Sequence, residues 1–325
     1  MSDNNAIGQS WDIYWQGTYN ASAHKDGGPQ DVALELFWSE LLSDLAYKQE
    51  DIRMLDVACG NGAVTGFALN VASQKNINLY SHCTDYSLSA VQSVQKKYPS
   101  VKGVSSDAKH LPFQSGSFDA VVSQFGIEYA GSDAFGECAE LVSPSGIFAA
   151  IVHLTDGAIY KECQESLEAS QKISEIRILE LARDAFKAAY DVLEGRAEQE
   201  IFVQADKSFS PAVNEMKSIL LKKGEDVAGG TVYGLFNDLG HMYSDIGAYN
   251  PKDVFEWIDK MVLELEAYSA RMSSMLDAAI GVLELQKVID LVTSKGMSVT
   301  RKGQLSFTEG KPAAWILVCK KAAIK

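Results

Sequence analysis

Between residues 51 and 153, short apolar runs of strand length alternate with helical stretches, and no other feature of the chain constrains its fold as much. The runs at 52–57, 77–84, 101–105, 118–125 and 146–153 read as strands, and 63–74, 88–98 and 133–142 read as helices. Strands joined by helical crossovers and short loops lie parallel, with helices on both faces of one sheet. The expected fold class is therefore α/β. Ligands of such sheets sit at the carboxyl ends of the strands, where the strand order reverses. Every loop of unusual composition in this segment falls at those ends.

The alternation stops after His153. Apolar positions Ile176, Leu179, Ala182, Phe186, Tyr190 and Leu193 follow the three-and-four spacing of a helix face, and 210–223 reads as a shorter helix. Residues 224–247 read as a glycine-rich loop carrying Phe236, Asn237, His241 and Tyr243. Asn250-Pro251 opens a second long helical pattern, with Asn suited to the cap, Pro to the first helical position and Asp253 to the first turn. Its stripe runs from Val254 through Met272 to Leu276, Ala279 and Leu283. The chain closes with 297–307 and 314–320, an antiparallel hairpin. Three parts are expected: 1–50 as an N-terminal helical and aromatic segment, 51–154 with 291–325 as the sheet core, and 155–290 as a helical insertion.

Charge and cysteines narrow the function without naming it. The formal net charge of −14, in 325 residues, disfavours nucleic acid and an anionic membrane surface as partners, since both attract Lys and Arg. The longest clean apolar run, 313–319, is far below the ~18 residues a membrane-spanning helix needs. The opening MSDNN has neither the basic nor the apolar part of a secretory signal, so a cytoplasmic protein is expected. Cys59, Cys83, Cys138, Cys163 and Cys319 have no metal-ligand spacing and read as small buried thiols; no metal is expected.

The most informative stretch is LDVACGNG, residues 55–62. Its glycines allow close approach of a ligand to the backbone ahead of a helix N-terminus. A dinucleotide fingerprint would place a third glycine at position 65, where Thr65 stands instead. Asp56, just before the glycines, would repel a pyrophosphate and suit an ammonium group. Asp85 closes the second strand, where an acceptor-only carboxylate suits a ribose diol. Asp107 closes the third. A ligand with an amino-acid end, a ribose and a base would use all three carboxylates, and S-adenosylmethionine has those parts.

LDVACGNG, CTDYS (83–87), SDAKHLPF (106–113) and GSFDAVVSQFGIEYA (116–130) together resemble the class I S-adenosylmethionine-dependent methyltransferases, above all the small-molecule group that includes ubiquinone/menaquinone-biosynthesis enzymes. The resemblance covers about half the chain. It implies a Rossmann-like seven-stranded, mostly parallel sheet with an antiparallel last strand, and a largely helical insertion between strands five and six. It implies that Asp56, Ala58, Cys59, Gly60 and Gly62 line the methionine end of S-adenosyl-L-methionine. Asp85 would bind the ribose with Tyr86 beside the adenine, Asp107 and Ala108 would meet the adenine edge, and Gln124 would lie near the methyl group. Ala58 stands where many relatives have glycine.

Methyl transfer requires alignment, exclusion of water and, for some acceptors, removal of a proton. Glu128, Tyr129 and His153 stand at the appropriate strand ends for that work, and Glu128 and Tyr129 read equally as packing of the cofactor loop. His153 reads either as a general base or as a strand-end histidine satisfied by backbone. Trp11, Tyr14, Trp15 and Tyr19 read as an aromatic lid over cofactor and acceptor, or as cover for the sheet edge. Phe236, Asn237, His241 and Tyr243 read as acceptor contacts. The insertion suits a substrate lid or a homodimer surface. The expected activity is methyl transfer to a small or medium organic molecule. Aminopropyl or carboxymethyl transfer at the same nucleotide site, or a non-catalytic cofactor-binding subunit, are the alternatives.

Overall fold

The computed structural model describes residues 11, 14, 32–307 and 310–323. The chain divides into two compact units, 1–161 with 274–325, and 162–273.

The first unit is built on one seven-stranded sheet. Its elements are α1 (Val32–Ala46), β1 (Asp51–Val57), α2 (Ala63–Lys75), β2 (Asn78–Asp85), α3 (Leu88–Lys97), β3 (Lys102–Ser105), β4 (Phe118–Gln124), a 3-10 turn (Ile127–Ala130), α4 (Ser132–Leu141) and β5 (Val142–His153). After the second unit come α10 (Val282–Ser294), β6 (Met297–Ser306) and β7 (Pro312–Lys321). The strand order is β3-β2-β1-β4-β5-β7-β6. Pairs from β3 through β5 are parallel, and β7 runs antiparallel to both β5 and β6. This is the seven-stranded, mostly parallel sheet with an antiparallel last strand that the motifs imply. The order reverses between β1 and β4.

Period-two alternation sends each strand's side chains to opposite faces, as a pleated strand requires. Leu55, Val57, Val121, Phe148, Ala150, Trp315 and Leu317 bury one face against α4 and α10, through Phe135, Cys138, Leu285, Val288 and Val292. Ile52, Met54, Ala120, Val122, Ala149, Ile151, Ile316 and Val318 bury the other against α1 and α2, through Leu34, Trp38, Leu42, Val64 and Ala68. Phe118 joins the first face despite its even number, because the β4–β5 register shifts between Phe118 and Ala120. At the β3 edge, Val91 and Val94 of α3 pack with Cys59, Cys83 and Val101. All five cysteines are unbridged and buried.

The second unit is helical. The chain reaches it along α5 (Ala158–Glu175), continues through α6 (Ile178–Leu193), α7 (Gln199–Lys223) and α8 (Thr231–Ser244), and leaves along α9 (Pro251–Ala278). The stripe across 157–195 is two helices, because Arg177 takes a left-handed φ of 55° between them. Leu193 and Leu283, expected in apolar stripes, are exposed. The helix expected from position 210 begins at Gln199 and carries Pro211 inside it. An interior proline costs about 3 kcal/mol; burial of Phe209, Ala212, Met216 and Leu220 offsets it. The expected loop at 224–247 is corrected to a 3-10 turn, Val227–Gly230, followed by α8. Gly234 and Gly240 each cost about 1 kcal/mol within a helix, but the buried face Val232, Leu235, Leu239 and Met242 outweighs them.

Tyr243 donates to Asp206 Oδ1 at 2.7 Å, amid the rings of Phe186, Phe202 and Phe209. Burial first, and then the carboxylate, push its phenol well up. Tyr243→Phe leaves Asp206 with one fewer donor and is expected to destabilise this unit by about 1–2 kcal/mol in chemical denaturation. A variant of unchanged stability would show that water replaces the hydroxyl at no cost. No helix among the described residues is long and apolar enough to cross a membrane.

Candidate active site

The turn after β1 packs three left-handed residues into five positions: Ala58 (φ 54°), Gly60 (φ 49°) and Gly62 (φ 76°). For Ala58 that conformation costs about 1–2 kcal/mol, since only glycine adopts it freely. Gly62 is the N-cap of α2 with no side-chain cap, and a β-carbon there would stand 3.0 Å from Val94 Cγ2. The missing cap comes from β1 instead. Asp56 Oδ2 accepts from the Thr65 amide at 3.1 Å and the Thr65 hydroxyl at 2.7 Å. Thr65, at the position of the absent third glycine, is thus the residue that engages the carboxylate. Asp56 is 1% exposed. Burial pushes its carboxyl up to about 7; the two Thr65 bonds oppose the shift and the Asp85 charge adds to it.

Asp85 ties the glycine turn to the end of β2. Its Oδ2 accepts from the Gly60 amide and its Oδ1 from the Ser87 amide, each at 2.9 Å. The Cys59 amide donates to the Thr84 carbonyl at 3.0 Å, and the Gly62 amide to the Cys59 carbonyl at 2.8 Å. The Cys59 thiol is pushed well up by its contact with Cys83, by burial and by the neighbouring carboxylates, which makes it inert as a nucleophile. Asp107 is exposed and accepts from the Lys109 amide at 2.9 Å, closing a turn; His110 beside it is also exposed. Ala108 packs on the core, and Tyr86 is 57% exposed. Gln124 accepts from the Trp38 indole at 2.6 Å, so α1 orients its amide.

The turn after β4 meets the glycine turn. A β-carbon on Gly126 would lie 2.5 Å from Ala58 Cβ and 2.9 Å from the Ala58 carbonyl oxygen. Phe125, just before it, has a φ of 53°, a strained value for an aromatic residue. Its ring centroid is 4.6 Å from that of His153. His153, 3% exposed at the end of β5, has Nδ1 2.7 Å from Glu128 Oε1, and its own backbone amide donates to that same oxygen at 3.0 Å. Tyr129 meets His153 edge-on at 6.0 Å, and Trp11 meets Tyr129 edge-on at 5.5 Å. Tyr14 is 5.8 Å from Trp11. Trp15 and Tyr19 lie outside the described residues.

Residues 55–150 match the family described as "Methyltransferase domain". This segment is similar to methyltransferase domains. Solved structures similar to the chain include an S-adenosylmethionine-dependent methyltransferase from Mesorhizobium loti, at 18% identity, 36% of this chain, 53% of that one and a TM-score of 0.30. The CurJ carbon methyltransferase is similar at 12% identity over 89% of this chain and 54% of that one, TM-score 0.42. Geranyl diphosphate C-methyltransferase from Streptomyces coelicolor A3(2), in complex with Mg2+, geranyl diphosphate and S-adenosyl-L-homocysteine, is similar at 15% over 46% and 65%, TM-score 0.34. The match thus spans 53 to 65% of these chains' lengths. No curated protein matches the chain.

Within the sheet unit, Asp56, Ala58, Cys59, Gly60, Gly62 and Asp85 form one connected turn, and Phe125, Glu128, Tyr129 and His153 a second cluster joined to it at Gly126. Asp107 and Ala108 follow β3, at the same end of the sheet. Phe236, Asn237, His241 and Tyr243 stand on α8 of the helical unit. Phe236 and Tyr243 pack in that unit's core, and His241 is exposed. Trp38, Thr65, Ser87, Phe125 and Gly126 are structural partners of the site that motif reading passes over. The Phe-Gly pair directly after a strand was the available signal for the last two.

Proposed function

We propose that the protein is an S-adenosyl-L-methionine-dependent methyltransferase acting on a small or medium organic acceptor, with S-adenosyl-L-homocysteine as product. The observation that supports it is the Asp85 clamp. A carboxylate oriented by the Gly60 and Ser87 amides, at the end of the strand beside the glycine turn, suits a ribose diol. An ionised carboxylate accepts about four hydrogen bonds, so holding the turn and holding a diol are compatible. The glycine turn leaves little room for a pyrophosphate's charge beside Asp56 and favours the ammonium group of an amino acid. The residues present fit the cofactor: Asp56, Ala58, Cys59, Gly60 and Gly62 at its methionine end, Asp85 and Tyr86 at ribose and adenine, Asp107 and Ala108 at the base edge, and Gln124 toward the methyl group.

When bound, S-adenosyl-L-methionine supplies a methyl group already activated on a sulfonium. The chain's own task is alignment and the exclusion of water. Trp11 and Tyr14 suit the wall or lid of an apolar acceptor site, a reading that extends to Trp15 and Tyr19. The acidic surface favours a small acceptor over nucleic acid. A role of the helical unit in enclosing the acceptor or in pairing two copies accords with its position in the chain.

Titration calorimetry with S-adenosylmethionine and S-adenosylhomocysteine tests the reading. Both should bind the wild-type protein. Asp85→Ala should weaken binding by about 2–3 kcal/mol, the value of hydrogen bonds to a charged group, or roughly 30- to 150-fold. Asp85→Asn, which keeps one acceptor for the turn, separates loss of fold from loss of ligand contact. Failure of the wild type to bind either compound would overturn the cofactor assignment; unaltered affinity in both variants would overturn the ribose assignment.

A further inference from the structure

The Glu128–His153 pair does more than fill a strand end. Both residues are buried, Glu128 at 4% and His153 at 3% exposure, and one oxygen, Glu128 Oε1, faces two His153 nitrogens: the backbone amide at 3.0 Å and ring Nδ1 at 2.7 Å. A carboxylate that already accepts from the amide at this oxygen presents only lone pairs to the ring. The ring nitrogen facing it therefore carries the hydrogen. With Nδ1 as the donor, the proton-accepting nitrogen of a neutral imidazole is Nε2. The ring plane is set by a third contact, Phe125, whose ring lies 4.6 Å away at an interplanar angle of 32°. Phe125 reaches that place with a left-handed φ of 53°. Backbone strain of this kind is unfavourable by itself and clusters at functional sites.

We infer that Glu128 is a positioning residue that holds His153 as its Nδ1–H tautomer, so that Nε2 receives the proton leaving the methyl acceptor. The inference rests on the methyltransferase reading for the reaction, and on the pair's geometry alone for the tautomer. In the step, the acceptor's X–H bond breaks and its proton goes to Nε2. The electron pair left on X forms the new bond to the methyl carbon, and the pair of the broken carbon–sulfur bond stays on sulfur. One sulfonium charge is lost and one imidazolium charge is gained, so charge balances. Glu128 then faces an imidazolium and offsets that charge without moving.

The test is nitrogen NMR of protein labelled with 15N at its histidines, at a single pH near 7.5, with the His153 signals assigned by comparison with His153→Asn among the 5 histidines. The expected spectrum shows a protonated Nδ1 and an unprotonated Nε2 for His153. In Glu128→Gln the preference should relax toward a mixture in which Nε2–H is clearly populated, while the other histidines keep their signals. An Nε2–H tautomer in the wild type, or an imidazolium protonated on both nitrogens in the ligand-free protein, would overturn the assignment. An Nδ1–H preference undiminished in Glu128→Gln would remove Glu128 from the role. If that variant fails to fold, the wild-type spectrum still decides which nitrogen accepts. Because none of these signals depends on cofactor binding, failure here and failure of the calorimetry are distinguishable.

Discussion

Asp56→Asn is expected to stabilise the ligand-free protein near pH 8 by about 4 kcal/mol and to flatten its stability profile between about pH 4 and 7. The folded protein keeps the Asp56 carboxyl protonated up to about 7, against an ordinary value of 3.8. Between those values the unfolded chain gives up a proton that the folded chain retains. Stability conferred by this group is therefore full below about pH 4 and is lost as pH rises through about 7. The difference of roughly three units, at about 1.4 kcal/mol each, sets the size of the effect. The leading cause is desolvation of a charge buried at the end of β1. Asparagine keeps an acceptor for both Thr65 bonds and removes the charge. Denaturant titrations at a series of pH values, with and without the substitution, measure the effect directly. Equal slopes in the two proteins would mean that Asp56 is ionised and paired in the folded state. On the proposed function the same variant binds S-adenosylmethionine more weakly, because the ammonium group loses its carboxylate. Stability and affinity then change in opposite directions.

Gly126→Ala is expected to cost about 1–3 kcal/mol of stability, the usual penalty for overpacking, and to lower S-adenosylmethionine affinity at least tenfold. The new β-carbon would stand 2.5 Å from Ala58 Cβ and 2.9 Å from the Ala58 carbonyl oxygen. A flexible side chain could swing away, but here the obstacle is the backbone of a turn already held by Asp85 and the Thr84 carbonyl. Relief therefore requires displacing the glycine turn itself. Ala58→Gly should be close to neutral alone: it relieves a left-handed alanine but adds freedom to the unfolded chain. Combined with Gly126→Ala it removes the nearer clash and leaves the carbonyl one, so rescue should be partial. A double-mutant cycle measures that coupling. Strict additivity of the two changes would show that the β1 and β4 turns do not share this contact.

The legibility of the fold followed its periodicity. The five parallel strands and their helices could be read because each buries two faces or one stripe, and those patterns repeat within ten residues. The helical unit was harder to read. Pro211 and the glycines 224–247 are local signals for a helix start and a loop, yet α7 runs through the proline and α8 through two glycines. There the burial of Phe209, Met216, Leu235 and Leu239 outweighs local propensity, and that burial depends on helices distant in sequence.

The site divides in the same way. By itself the sequence determined the α/β sheet core, the glycine turn and the acidic residues at the ends of β1, β2 and β3, because a parallel sheet puts every such loop at one edge. Only the tertiary structure decided what each side chain does there. It turned Asp56 onto Thr65, Asp85 onto the Gly60 amide, Gln124 onto Trp38 and Glu128 onto His153, four pairings separated by 9 to 86 positions. Such pairings are set by strand order and register. A hydrogen bond needs its partners within about 3 Å, a distance that sequence spacing does not encode once the chain has crossed from one strand to another.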